Sequence, residues 1–349
     1  MQNTKIIGAS DSAFSYMGRI DFSEPDSPLF VYAGSMVSAK FTGTSVGVRL
    51  IPRLIYDETQ FGVILDGVQY CYQLKRADIP ELIYIPVAEG LEDTEHSITV
   101  FKRTAGSHCY FNFCGLVLDE GAQLLPDGKE YDLNIEVYGD SVSAGEVVEA
   151  VNYTGCSDPQ HHSQYDNSWF AYPLSLARKL NARVHDIAQG GIALFDKTGW
   201  FNGPDYIGME SVYDKLSYAP PFSPTPWDFS RYTPDIVIIA IGQNDANPDP
   251  DCIKRPDYRE RWKSAYKKIV LDLQEKYGDK TKFILITTVL MHEKDWDEAL
   301  DEIRDELADK NVTRYRFTRN GAATPGHPRI PEQEEMACEL AAYIRGLYH

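Results

Sequence analysis

The chain has 349 residues, of which 43% are apolar and 25% charged, and its formal net charge is −18. This length gives a prior of two domains, each large enough to bury its own core. The negative balance argues against nucleic acid or an anionic membrane as partner, and no apolar run approaches the ~18 residues of a membrane-spanning helix.

The amino terminus, MQNTKIIGASDSAFSYM, lacks a basic segment followed by a long apolar core, so it does not read as a secretory signal. Cys71, Cys109, Cys114, Cys156, Cys252 and Cys338 are scattered, with no CxxC spacing. These features lead us to expect reduced thiols and a cytoplasmic location.

From Leu29 to Asp119 the apolar residues recur with a period of two. LFVYAG, MVSAKFTG, SVGVRLIP, QFGVILDG, VQYCYQL, ELIYIPV, HSITVFKRT and FNFCGLVLD follow one another, split by Gly, Pro and Asp. Short strands at this spacing, with an Asp66-Gly67 hairpin signal, predict a β-sandwich. Thr42-Gly43-Thr44 and Ser107 are read as further turns. The polar stretch AQLLPDGKE (122–130) then marks a linker, and we place the domains at 1–124 and 125–349.

Beyond the linker, strands and helices alternate. Strands are predicted at 133–138, 184–188, 235–245, 283–289 and 313–318. Helices are predicted at 168–180, capped by Asp166 or Asn167, and at 259–277, 295–309 and 332–346. Near-continuous apolar strands alternating with helices imply a three-layer α/β/α domain with a parallel sheet. Lys197 to Thr233 is a long irregular stretch rich in Gly, Pro and aromatics.

Polar blocks close three of the strands: Gly139-Asp140-Ser141, Gln189-Gly190-Gly191 and Gly242-Gln243-Asn244-Asp245. A fourth, Gly326-His327-Pro328, precedes the last helix. Ends of parallel strands converge on one sheet edge, where α/β proteins hold ligands. Alone, Gly-Asp-Ser is an ordinary turn, Gly190-Gly191 a hinge and His327 a capping residue. Together they supply a nucleophile (Ser141), a base (His327) and oxyanion donors: the N–H of Ser141, an N–H of Gly190 or Gly191, and the Asn244 amide. Asp140 is read as a structural acceptor that fixes the turn. Adjacent His161 and His162, with Asp158 nearby, do not form a metal pair, and we expect no metal or other cofactor.

These four blocks resemble the SGNH, or GDSL-type, hydrolase superfamily, in which Ser, Gly, Asn and His occur in this order. MGRIDFSEPDSPLFVYAGSMVSAKFTGTSVGVRL (17–50) is similar to the amino-terminal jelly roll of carbohydrate esterase family 2. The resemblance implies a jelly roll joined to an SGNH domain that removes O-acetyl groups from plant polysaccharides or oligosaccharides such as acetylated xylan and mannan. It matches Ser141 to the nucleophile, Asn244 to the side-chain oxyanion donor and His327 to the base. Many SGNH enzymes carry an aspartate three residues before the histidine, where this chain has Thr324. Some family 2 members resemble a Ser-His dyad supported by a backbone carbonyl. We therefore expect a main-chain oxygen, from Thr324 or a neighbour, to hold His327 Nδ1.

Trp200, Tyr206 and Trp227, with Phe201 and Tyr232, lie in the irregular stretch and are candidates for stacking on a sugar ring, against the default of a core role. The alternative functions are a short-chain lipid or aryl esterase, a thioesterase, and a carbohydrate-binding protein with a vestigial site. The sequence is compatible with a homo-oligomer.

Overall fold

In the computed structural model, residues 4–55, 59–160, 163–220 and 222–348 are described. His161 and His162 lie outside them. The chain divides into two compact units, Met1–Glu130 with His162–Gln164, and Tyr131–His161 with Tyr165–His349. The division falls at the far end of the polar stretch read as a linker.

The first unit is built on antiparallel ladders. Its strands are β1 (Thr4–Ile7), β2 (Ser15–Met17), β3 (Ile20–Asp21), β4 (Leu29–Phe30), β5 (Met36–Ile55), β6 (Thr59–Leu65), β7 (Val68–Leu74), β8 (Ile83–Lys102), β9 (Cys109–Asp119) and β10 (Leu124–Leu125). They are ordered β3-β4-β9-β5-β8-β6-β7, with β1 on β9 and β2 and β10 on β5. The Asp66-Gly67 signal closes the β6–β7 hairpin, both residues having positive φ, at 49° and 79°.

Two pairs of expected strands are each one long strand. Thr42-Gly43-Thr44, read as a turn, lies inside β5 at a register shift between Gly43 and Ser45. Gly43 has φ +114°, and Asp119 Oδ2 accepts hydrogen bonds from Thr44 Oγ1 and the Ser45 N–H. The irregularity switches the phase of burial. Val37, Ala39 and Phe41 are buried before it, and Val46, Val48 and Leu50 after it, so one strand keeps feeding one core.

The second unit contains a five-stranded sheet in the order β12-β11-β15-β16-β17. Its strands are β11 (Leu133–Gly139), β12 (Ala182–Ala188), β15 (Ile236–Ala240), β16 (Lys282–Leu285) and β17 (Val312–Arg314), all paired in parallel. The short hairpin of β13 (Lys215–Ser217) and β14 (Thr225–Pro226) lies within the irregular stretch. Every residue of β15 is buried, as a strand covered on both faces requires. Helices α2 (Tyr172–Lys179) and α5 (Ile330–Leu347) pack together, as do α3 (Pro256–Tyr277) and α4 (Lys294–Leu307), while α1 (Ser141–Ala144) is a single turn after β11. The helix predicted from residue 168 begins instead as a 3-10 turn, Ser168–Phe170, capped by the Asn167 side chain. Pro173 then sits in the first turn of α2.

This order places a switch point at β11. The chain leaves it towards β12 on one side and returns to β15 on the other, so the three polar strand ends are neighbours.

Candidate active site

β11 ends at Gly139 because nothing larger fits: a Cβ there would lie 2.0 Å from Ser143 Oγ. Asp140 follows as the N-cap of α1, its Oδ1 accepting the Val142 N–H at 3.0 Å. Ser141 is therefore the first helical residue, 5% exposed, beside the free N–H groups of a helix start. Gly145, at φ +78°, ends the turn against the Asn167 carbonyl.

Asp140 also ties this turn to the end of β15. Its Oδ2 accepts from Gln243 Nε2 at 3.0 Å and from Asn244 Nδ2 at 3.3 Å. Asn244 Nδ2 also donates to the Ile192 carbonyl at 2.9 Å, which reaches the segment after Gly190-Gly191. Ser141, Gly190-Gly191 and Asn244 are thus joined through one carboxylate and one amide. Burial pushes the Asp140 pKa up to about 6, against the Val142 and Gln243 hydrogen bonds and the His327 charge that favour its ionised form. Asp245 does a parallel structural task. Its carboxylate accepts the Leu194 and Phe195 N–H groups, and burial pushes its pKa up to about 7.

The two glycines differ in their surroundings. A Cβ on Gly190 would lie 1.6 Å from Glu146 Oε1. Gly191, at φ +71°, lies against the Trp200 backbone and Cβ, and the Trp200 backbone N–H donates to the Gly191 carbonyl at 2.8 Å.

His327 is held differently from the main-chain arrangement expected. Its Nδ1 lies 2.7 Å from Asp158 Oδ2, and its backbone N–H donates to Asp158 Oδ1 at 2.9 Å. Buried Arg329 donates to the same Oδ1 at 2.8 Å. The expected dyad is therefore corrected to a side-chain acid, Asp158. Thr324 faces elsewhere: its carbonyl accepts the Met291 N–H and its hydroxyl approaches the Cys156 carbonyl. Gly326 admits the acid, since a Cβ there would meet Asp158 Oδ1 at 2.5 Å and the Asp158 N at 2.7 Å.

Asp158 is held well below the usual carboxylate range. Burial opposes this, but hydrogen bonds from His327 and Arg329 and the His327 charge outweigh it. Burial alone would lower the His327 pKa, yet the Asp158 hydrogen bond and the charges of Glu146, Asp158 and Asp140 raise it. Glu146 Oε2 is 3.8 Å from His327 Nε2. Among the described residues Ser141 Oγ makes no hydrogen bond, the looseness common in a site awaiting substrate. No cluster of His, Cys, Asp and Glu among the described residues is arranged to hold a metal.

Of the aromatic candidates, Trp200 is 64% exposed beside Gly191. Tyr206 lines a cavity of about 210 Å3 with Asp196, Lys197 and Tyr218. Trp227 is buried with Leu216 and Tyr232, its ring edge-on to His185, and has no face left for a sugar. Tyr232 donates to the Ile135 carbonyl, and Phe201 packs on Tyr218; both are interior. Sequence reasoning missed Asp158 as the acid and Glu146 altogether.

Residues 16–127 match the carbohydrate esterase 2 N-terminal family model, and residues 137–320 match the GDSL-like lipase/acylhydrolase family. Cellulase/esterase CelE of Acetivibrio thermocellus is 28% identical over 346 residues, 95% of this chain, which spans only 39% of that protein's length. The acetylxylan esterase/glucomannan deacetylase of Cellvibrio japonicus is 26% identical over 363 residues, covering 99% of this chain and 92% of its own. A family two carbohydrate esterase from Clostridium thermocellum, solved in complex with cellohexaose, superposes with TM-score 0.79 at 25% identity, over 96% of this chain and 99% of its own. The family two esterase structure from Cellvibrio japonicus, at 23% identity over 99% and 98% of the two chains, has a TM-score of 0.81 and shares the fold. With an antiparallel β unit ahead of a parallel α/β unit, and both matched in order, the chain belongs to the GDSL-like lipase/acylhydrolase family in the two-domain form of carbohydrate esterase family 2.

Proposed function

We propose that this protein is a serine esterase that removes O-acetyl groups from plant polysaccharides or their oligosaccharides, with acetylated xylan and mannan as the substrate class. The observation that carries the reading is the Asp158–His327 contact of 2.7 Å in a site whose turn also presents Ser141. An anion on Nδ1 fixes the imidazole so that Nε2 is the basic nitrogen. Ser141 Oγ attacks the acetyl carbonyl as His327 Nε2 takes its proton. The N–H groups of Ser141 and of Gly190 or Gly191, with the Asn244 amide, hold the oxyanion. His327 then protonates the departing sugar oxygen, and water, deprotonated by His327, releases acetate from acetyl-Ser141.

The sugar class is supported by the two curated relatives, named as a cellulase/esterase and as an acetylxylan esterase/glucomannan deacetylase. Exposed Trp200 beside Gly191 offers a ring for the leaving sugar. We also read the amino-terminal sheet, with its two 20-residue strands, as a jelly roll. A reducing cellular location is in keeping with cysteines that form no disulfide among the described residues.

The test is acetate release from acetylated xylan and glucomannan oligosaccharides against hydrolysis of a long-chain nitrophenyl ester. The proposal expects the acetylated sugars to be preferred, and Ser141→Ala to lose about 10³-fold or more in kcat. Preference for the long-chain ester, or activity of Ser141→Ala near wild type, overturns it.

A further inference from the structure

The β unit carries a second concave surface. On β1, β9, β5 and β8 the register aligns Ile6 with Val117, Val117 with Gly47, and Arg49 with Tyr84. Paired residues and those two apart share a face, so these side chains stand together. They line an open cavity of about 640 Å3 that also includes Glu89. That volume lies within the ~300–1,000 Å3 of small-ligand sites.

Tyr84 forms its floor in an unusual way. A Cβ on Gly47 would lie 2.3 Å from Tyr84 Cε2 and 2.7 Å from both Cζ and the hydroxyl oxygen. The ring therefore lies across the glycine backbone, and any other residue at 47 would displace it. Tyr84 is nevertheless 54% exposed, and Ile6 beside it 59%. Burial and the nearby Glu89 charge raise the pKa of the phenol, which stays protonated. Among the described residues, no ion pair or side-chain hydrogen bond engages Arg49 or Glu89.

We propose that this surface binds a neutral polysaccharide chain at a distance in function from the esterase chemistry, as an anchoring site. The apolar C–H face of a pyranose suits a flat, pre-positioned aromatic ring. Its hydroxyls are donors and acceptors at once, so they satisfy an anion and a cation placed on either hand, Glu89 and Arg49. A protein partner fits less well, because both charges would lose water without a fixed counter-charge. An acidic polymer would meet the net charge of −18. The sugar class rests on the esterase reading; the site itself rests on its own geometry.

The experiment is affinity electrophoresis and calorimetry of the full chain with unacetylated xylan and glucomannan, which isolates binding from acetyl release. Wild type is expected to be retarded, and Tyr84→Ala to bind about tenfold more weakly, the order expected of one ring contact. Gly47→Val, which displaces the ring, should do the same. Thermal melts report folding, and the variants of half-buried Arg49 and exposed Glu89, Arg49→Met and Glu89→Gln, decide the matter should either of the first two unfold early. Retardation unchanged in Tyr84→Ala and Arg49→Met, or absent in wild type, overturns the site. Polymer binding that depends on Tyr84 without any acetate release would overturn the esterase reading and leave this one standing.

Discussion

Asp158 grips His327 twice: one carboxylate oxygen lies 2.7 Å from the ring Nδ1, and the other accepts the backbone N–H of the same residue. A single hydrogen bond would orient the ring while leaving its backbone free to shift. Two bonds from one rigid group fix the backbone and the ring together. Arg329, fully buried, donates to Asp158 Oδ1 and adds to the His327 hydrogen bonds and charge that keep the acid ionised. The cost of a half-buried anion is thereby offset by three donors.

Removing that charge should be severe. Asp158→Asn retains the shape but can donate to Nδ1, which favours the wrong imidazole tautomer. A fall in kcat of about 10³–10⁴-fold is expected, by analogy with the serine-protease acid. Thr324→Ala, which touches neither ring nitrogen, should stay within about tenfold, since the buried hydroxyl makes only a 3.5 Å contact, to the Cys156 carbonyl. Steady-state hydrolysis of a small acetyl ester measures both. Asp158→Asn within a few-fold of wild type would return the site to a Ser-His dyad.

Gly326→Ala tests the same contact from the other side. The added methyl would approach Asp158 Oδ1, the Asp158 N and the Cys156 carbonyl at 2.5, 2.7 and 2.7 Å. Backbone atoms cannot yield as a flexible side chain can, so the segment carrying the acid must move. We expect a loss of kcat approaching that of Asp158→Asn, with a lower melting temperature because His327 and Arg329 lose a shared partner. Full activity in a folded Gly326→Ala protein would show that the segment adjusts without moving the carboxylate.

The meeting of the Ser141, Gly190-Gly191 and Asn244 turns was legible because the parallel-sheet pattern says where strand ends converge, and each lies at or after such an end. Asp158 was not, because it precedes His327 by 169 positions and lies in a segment with no helical or strand period. Its trace in the sequence is Gly326, a residue whose need for close approach becomes visible only with the neighbour in place. The β5 phase switch was present in the spacing of Val37, Ala39 and Phe41 against Val46, Val48 and Leu50. A glycine at the switch looked like a turn because a turn and a bulge ask for the same positive φ. Trp227 shows the opposite failure: composition cannot separate an aromatic facing solvent from one facing His185.

Asn244 is already engaged before substrate arrives. Its amide donates to the Ile192 carbonyl at 2.9 Å and to Asp140 Oδ2 at 3.3 Å, so both hydrogens have acceptors. An oxyanion must replace the longer contact, which costs little because Gln243 and the Val142 N–H still hold Asp140. Asn244→Ala should lower kcat by about 10²–10³-fold with KM close to wild type, the mark of a donor used at the transition state. Asn244→Asp should be worse, since it sets a second carboxylate against Asp140. A defect confined to KM would assign Asn244 to substrate binding.

Asp158, with Glu146 and Asp140, gives the pH dependence its sign. The ionisable groups facing His327 are Asp158 at Nδ1, Glu146 at 3.8 Å from Nε2, and the Asp140 charge, with Arg329 answering Asp158. Burial alone would lower the histidine pKa, but the three anions prevail and raise it. The base must be neutral to take the serine proton, so activity is lost as pH falls through this raised value. The acid limb of kcat/KM should therefore lie above that of an ordinary histidine. Glu146→Gln removes one anion that favours the imidazolium, and the limb should move to lower pH. The same anion stabilises the imidazolium formed at the transition state, so the plateau at high pH should fall as well. A pH–rate profile of the two proteins on one small acetyl ester separates these effects. A limb that stays in place or moves to higher pH in Glu146→Gln would show that Glu146 does not act on His327 across that 3.8 Å gap.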